Sequence, residues 1–400
     1  MTAPVQAASS PGAPDYDVLI VMDHYLPGRL AGGPVTTVAN LVSRLGTQLR
    51  FLIMTQRFDL DGQGYEGITN GDLRRVGNAD VLYFDRAAYT PDQVAALLAR
   101  HRVPCLYLNS FFSVMTIRCL FKQRLRRITR RLILAPRGEF SPGALSLKRG
   151  KKRAYLLAFR ALALARGVDV FQASSEREAR DIRQSLGAVP ITVAADVPDV
   201  DLLEPDLAQR TRGVVFLARI SPMKNLTFAL EALLRVREPV RFHIYGPLED
   251  AAYWAECQAL IRKAPAHVQI EYRGAVAHEQ VAATFAGYDA LLLPTKGENF
   301  GHVILEALGA GCAAVISDQT PWQDLQERGV GWVQPLSDPQ AFTAALEEIL
   351  RAPDAEREAR SRRCVEYARL FLEDSSILRQ NLSLFAPKDA FRADRGQERK

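Results

Sequence analysis

Two carboxylates, Glu298 and Glu306, stand eight positions apart, and the seven residues between them read Asn299-Phe300-Gly301-His302-Val303-Ile304-Leu305. Two cations, Arg219 and Lys224, flank the turn Ile220-Ser221-Pro222-Met223. A guanidinium supplies two-point hydrogen bonding and an ammonium a compact charge, so the second pair suits a diphosphate. In the first pair, Glu306 lies among Val303, Ile304, Leu305, Ala307 and Leu308. A carboxylate on a helix apolar on nearly all sides is costly unless something hydrogen-bonds it. The free N–H groups at that helix start suit an anion. A ligand with a phosphate at the helix start and hydroxyls reaching Glu306 satisfies both. A surface Glu on an ordinary helix, and a solvated turn around Arg219 and Lys224, are the plainer alternatives.

These residues need strands and helices to position them. Residues 290–293 read as a buried strand ending at Pro294. Residues 298–301 read as a short loop and 302–308 as a helix stopped by Gly309 and Gly311. Short apolar runs alternate with helical patterns along the whole chain, which predicts doubly wound parallel sheets. Runs 17–22, 51–55, 81–84, 105–108, 132–135 and 168–172 are the strands of a first domain. An acidic, Pro-containing stretch, 196–206, is the hinge. Runs 214–218, 240–245, 268–272, 290–293, 313–317 and 331–333 are the strands of a second. Four hundred residues allow two such domains, each with its own core. The 48% hydrophobic and 24% charged composition is that of a soluble globular protein. No run of 18 apolar residues exists, and residues 1–15 lack a basic start and an apolar core, so they predict a disordered tail and not a signal peptide. Five scattered cysteines without a C-x-x-C pair predict reduced, buried thiols in a cytoplasmic protein.

The strand, then Pro294, then Glu298-x-Phe300-Gly301, then helix, then Gly309-x-Gly311 resembles the E-x7-E motif of retaining GT-B glycosyltransferases, in particular glycosyltransferase family 4 of the bacterial surface-polysaccharide type. Arg219-x4-Lys224, followed by Asn225-Leu226, is similar to the R-x4-K element of the same family. The resemblance covers about residues 17–384. It implies two facing Rossmann-like domains with an inter-domain cleft: an acceptor domain, 16–200, a nucleotide-sugar domain, 201–365, and a helix, 366–386, crossing back to the first domain before a tail, 387–400. It implies that Glu306 holds the donor ribose, and that Arg219, Lys224 and the helix start at Gly301 hold the diphosphate as it leaves. Glu298 then orients the donor sugar, with Asn299 and Phe300 beside it. Gly246 and Val276, in loops after two strands of the second domain, are placed along the nucleotide, and Gly33 beside the diphosphate. Arg137 stands where the family commonly has His, and Arg137 or Glu139 is placed on the acceptor side; Glu139 capping the following segment is the alternative. Ser174-Ser175-Glu176-Arg177-Glu178 also matches a family pattern, of structural or acceptor-facing character.

The reaction so implied is metal-independent transfer of a hexose, with retention, from a UDP- or GDP-sugar to an acceptor hydroxyl, with no cofactor. Catalysis is then mainly leaving-group stabilisation and positioning. A lipid-linked saccharide acceptor at the inner face of the membrane is expected, from the family type and from the basic run Arg118, Lys122, Arg124, Arg126, Arg127, Arg130 and Arg131, followed by Lys148, Arg149, Lys151, Lys152 and Arg153. The run is otherwise a solvated face. No nucleic-acid-binding motif is present. Asp59-Leu60-Asp61 and Asp199-Val200-Asp201 resemble the D-x-D metal motif of GT-A enzymes but lie away from the other motifs, so no metal is expected. The rivals are a non-catalytic two-lobed sugar-binding protein and a GT-B enzyme acting on a soluble small-molecule acceptor.

Overall fold

Residues 15–146, 149–206, 210 and 212–386 are described by the computed structural model. The two expected tails, save Asp15, and Lys148 of the basic run lie outside these residues. The chain forms two units: Pro198–Asp374 is one, and the residues before it together with those from Ser375 onward are the other.

In the first unit the strands are β1 (Val18–Val21), β2 (Phe51–Gln56), β3 (Leu73–Val76), β4 (Ala79–Phe84), β5 (Cys105–Asn109), β6 (Arg131–Ala135), β7 (Val170–Ala173) and β8 (Ile191–Val193). They lie in the order β3-β4-β2-β1-β5-β6-β7-β8, parallel throughout except β3, which runs antiparallel on the edge beside β4. β1, β2 and β6 carry Val, Ile or Leu on both faces, and β5 is likewise buried on both, because helices cover both faces of a parallel sheet. β3 escapes sequence reading because Leu73-Arg74-Arg75-Val76 is mostly exposed and carries no buried alternation. The strand expected at 168–172 begins later, at Val170, because the 3-10 turn Leu164–Gly167 runs up to Val168.

The second unit has β9 (Gly213–Leu217), β10 (Val240–Tyr245), β11 (Val268–Tyr272), β12 (Ala290–Leu293), β13 (Ala313–Ser317) and β14 (Gly331–Gln334), all parallel, in the order β11-β10-β9-β12-β13-β14. That is the doubly wound order in which the sheet reverses between its first and fourth strands, here β9 and β12. Sheets of this order bind ligands beyond the carboxyl ends of the two strands that flank the reversal. Each unit has its own apolar core.

The chain's end departs from the sequence expectation. The helix Asp354–Glu373 stays with the second unit and packs on the helix His302–Gly309. The break falls at Asp374, not at 366, because Asp374 is extended and Asp-Ser-Ser is a helix-starting signal. A new helix, Ser375–Phe385, then belongs to the first unit. There the Phe385 ring lies 5.2 Å from that of Tyr107, Asn381 Nδ2 donates to the Ala195 carbonyl at 2.8 Å, and Arg131 donates to the Leu384 carbonyl at 2.6 Å.

Candidate active site

The loops after β9 and β12 are stitched together. Lys296 N–H donates to the Met223 carbonyl at 2.9 Å, the Thr295 hydroxyl to the same carbonyl at 3.3 Å, and Asn225 Nδ2 to the Pro294 carbonyl at 3.0 Å. Asn225 adopts the left-handed conformation, φ 61°, which Asn tolerates better than most residues. This stitching brings Lys224 to Glu298: Nζ and Oε1 are 2.5 Å apart, and the side chains are only 16% and 10% exposed. The helix His302–Gly309 starts at Gly301, φ 84°. A Cβ there would meet Ile304 Cδ1, the end of a flexible side chain, at 3.0 Å, so it is the left-handed φ that favours glycine.

Glu306 is half-buried, whereas the sequence predicts full burial. Val303 and Glu306, three residues apart, form the less buried stripe of this helix, while Ile304, Leu305, Ala307 and Leu308 are buried. Phe300 differs more. Its ring is 6% exposed and packs 5.4 Å from Trp322 and 6.0 Å from Phe371, and its carbonyl accepts from Trp322 Nε1 at 2.5 Å. What Phe300 can offer a ligand is therefore main chain, not the ring. Asn299 is half-buried beside it.

Gly246 follows β10 with φ 141°, and a Cβ there would meet the Ala218 carbonyl oxygen at 1.8 Å. Only glycine lets the loops after β9 and β10 approach so closely. Its N–H donates to the Gly274 carbonyl at 2.8 Å, so the loop after β11 joins the same edge, with Val276 half-buried in it. Arg219 sits on this side. Its guanidinium pairs with Glu249, a residue that sequence reading passed over, and not with Glu298.

In the first unit Gly33 opens the helix Gly33–Leu45, and the space a Cβ would occupy there is open. The preceding loop is held by Asp59, whose Oδ2 accepts from the N–H groups of Arg29 at 3.0 Å and Leu30 at 3.3 Å. That accounts for one carboxylate of the Asp59-Leu60-Asp61 motif. Among the described residues no group of three or more His, Cys, Asp or Glu could hold a metal ion.

Arg137 and Glu139 are both engaged within the first unit. Arg137, at φ 57°, donates from Nη1 to Asp196 Oδ1 at 2.7 Å, from Nη2 to the Tyr107 hydroxyl at 2.6 Å and from Nε to Asn109 Oδ1 at 3.0 Å. Glu139 accepts from the Ser110 hydroxyl at 2.7 Å and from the N–H groups of Phe111 at 2.5 Å and Phe112 at 3.1 Å. Glu178 accepts from Gly138 N–H at 2.6 Å and Ser174 N–H at 2.7 Å. These side chains brace the loops after β5, β6 and β7 from inside. The pKa values of both glutamates lie above the ordinary range because burial disfavours the charged form more than their donors restore it. The five cysteines are buried and unpaired by disulfides. Sequence reading missed Glu178 as a brace because its partners, Gly138 and Ser174, lie on two different loops.

Residues 204–371 match the family model described as glycosyl transferases group 1. Phosphatidyl-myo-inositol mannosyltransferase of Mycobacterium leprae (strain TN) is 30% identical over 179 residues, which is 42% of this chain and 46% of that protein. O-antigen chain mannosyltransferase B of Escherichia coli is 27% identical over 165 residues, 39% of this chain and 41% of that one. The chain thus matches less than half the length of these curated relatives. Among solved structures, sucrose-phosphate synthase (tll1590) from Thermosynechococcus elongatus superposes with a TM-score of 0.72 at 16% identity, covering 94% of this chain and 99% of that one. Anabaena Alr3699/HepE in complex with UDP and glucose gives 0.69 at 17% identity, covering 92% and 98%. At these identities the likeness is one of fold.

Proposed function

We propose, since residues 204–371 match the group 1 glycosyl transferases and the chain has the GT-B fold, that it is a retaining glycosyltransferase that moves a sugar from a nucleotide-sugar to an acceptor hydroxyl. The Lys224–Glu298 pair at the point where the second sheet reverses is the observation that carries this reading. Lys224 and Arg219 hold the diphosphate and stabilise its charge as it departs. N–H groups at the start of the helix after Gly301 add to that field. Glu298, fixed by Lys224, orients the donor sugar; Glu306 binds the ribose. Gly246, Val276 and main chain of Asn299 and Phe300 line the donor. With two cations and a helix start for the leaving group, no divalent ion is required. The UDP bound in the Anabaena protein supports a UDP-sugar, and the named mannosyltransferases support mannose as the sugar to try first.

The acceptor follows from a surface of the first unit. The helix Val114–Arg126 exposes Val114, Arg118, Phe121 and Leu125, which share one stripe, with Leu125 80% exposed. The helix Arg149–Ala161 exposes Leu157 at 68% among Arg149, Lys151, Arg153 and Arg160. Both helices border the turn Leu164–Gly167. Apolar tips ringed by cations suit an anionic lipid surface, so the acceptor is lipid-linked and the enzyme is peripheral on the cytoplasmic face. Among the described residues no helix is long and apolar enough to cross a membrane.

Incubation with UDP-, GDP- and ADP-sugars, including the mannosyl forms, tests the reading. Slow release of nucleotide from one of them, undiminished by EDTA, is expected, with the α-configuration kept in the glycoside formed. Binding of free sugar with no turnover of any nucleotide-sugar would instead mark a binding protein. Inverted product would remove the retaining assignment, and loss of activity in EDTA the metal-independent one.

A further inference from the structure

Both carboxylate oxygens of Glu249 lie 3.0 Å from Arg219 Nη1. The backbone holds Glu249 in place. Ile220 N–H donates to the Pro247 carbonyl at 2.9 Å, Ile220 and Leu248 form an isolated parallel bridge, and Glu249 N–H donates back to the Ile220 carbonyl at 3.3 Å. On its other side Asp250 caps the helix Ala251–Ile261 by accepting from Tyr253 N–H at 3.0 Å. Glu249 is thus pinned between a stitched pair of loops and a capped helix, with its charge on one guanidinium.

The Lys224–Glu298 pair joins two groups that both face the donor. Arg219–Glu249 joins a donor-binding group to a carboxylate outside the constellation. We infer that Glu249 is an electrostatic gate on the donor site: it neutralises Arg219, competes with the diphosphate for it, and repels the diphosphate until displaced. The inference rests on the reading of Arg219 as a diphosphate ligand. The opposite role is a brace that orients Arg219, and the two roles differ in sign. Removing the charge of a gate tightens binding; removing a brace weakens it. At 37% and 41% exposure the pair is of the surface kind, so the effect is about two- to five-fold in affinity. It is also open to screening.

The test is calorimetric titration of the full-length wild type, Glu249→Gln and Arg219→Ala with UDP, GDP and ADP, at low and at physiological salt. Glutamine keeps the size of the side chain and a hydrogen bond to Arg219. For the nucleotide the wild type binds, Glu249→Gln is expected to lower the dissociation constant by about two- to five-fold at low salt, with a smaller gain at higher salt. A constant that is unchanged or raised overturns the gate. Weakened binding by Arg219→Ala beside an unchanged Glu249→Gln removes the gate and leaves the diphosphate reading standing. Wild-type affinity in Arg219→Ala removes that reading and the gate with it.

Discussion

Lys224 and Glu298 lie 74 positions apart in the chain, yet they form a largely buried ion pair. On the proposed reading each has a structural duty as well as a chemical one. Lys224→Ala is expected to lower turnover by roughly 10²–10³, the loss that follows removal of one preorganised donor to a developing charge. It should also lower the melting temperature, because Glu298 is left without its cation. The double variant Lys224→Met/Glu298→Gln separates the duties: it should recover melting temperature and not turnover. Wild-type turnover in folded Lys224→Ala would reduce the pair to a structural one. Glu306 lies on the less buried stripe of its helix. Glu306→Ala should weaken donor binding by about 1.5–3 kcal/mol, the range for hydrogen bonds to a charged group. A folded variant with normal donor affinity would remove the ribose assignment.

At the scale of elements, the helix Val114–Arg126 carries a solvent-facing stripe that its own unit does not cover. Two members of the basic run are engaged elsewhere, Lys122 with Asp92 and Arg131 with carbonyls of the C-terminal helix. Arg118, Arg124, Arg126, Arg127 and Arg130 remain exposed. Near an anionic surface each contributes about 1 kcal/mol, and burying Leu125 or Phe121 adds about 1.5–3 kcal/mol apiece. Two variants dissect this in vesicle sedimentation. Reversing Arg124, Arg126, Arg127 and Arg130 to Glu should abolish binding to anionic vesicles. Phe121→Ser with Leu125→Ser should leave binding at low salt but make it fully reversible by 1 M salt, where the Debye length is about 3 Å. Wild-type protein that stays in the supernatant with anionic vesicles at low salt would show a solvated face, and a soluble acceptor would follow.

For the whole molecule, acid acts on the two units through groups of opposite sign. In the second unit, His243 has its pKa below the ordinary 6.5, through burial first and then Arg273. It shares a hydrogen bond with the Tyr288 hydroxyl at 2.6 Å. A depressed histidine contributes stability above its unfolded value that is lost as pH falls through the folded one. Glu139 and Glu178 in the first unit are raised, so their contribution is present below the unfolded carboxylate value and lost as pH rises through the folded one. As pH falls from 7 through 6.5 and below, the second unit should therefore lose stability, whereas the same acidification relieves the buried charge of Glu139 and Glu178 in the first. Melting curves of the wild type and His243→Gln over that range check this, with a flatter pH slope expected in the variant. An equal slope in both would show His243 to be uninvolved.

The positions of most strands, β3 excepted, the paired motifs and the helix at His302 were legible in the sequence because each is a local pattern. Apolar runs of strand length, a glycine that must turn, and charges at fixed short spacing all act within a few residues. The reach of Arg219 to Glu249, the pairing of Lys224 with Glu298 and the inward turn of Arg137 onto Asp196 were not. Each joins positions tens of residues apart, and a side chain of four or five bonds can swing to several partners. Only the loops that the tertiary structure stitches together decide among them. The same holds for Phe300. A Phe between a catalytic-type Glu and a Gly reads as a ligand contact, and packing against Trp322 and Phe371, brought in by a later loop and a later helix, makes its ring part of the core.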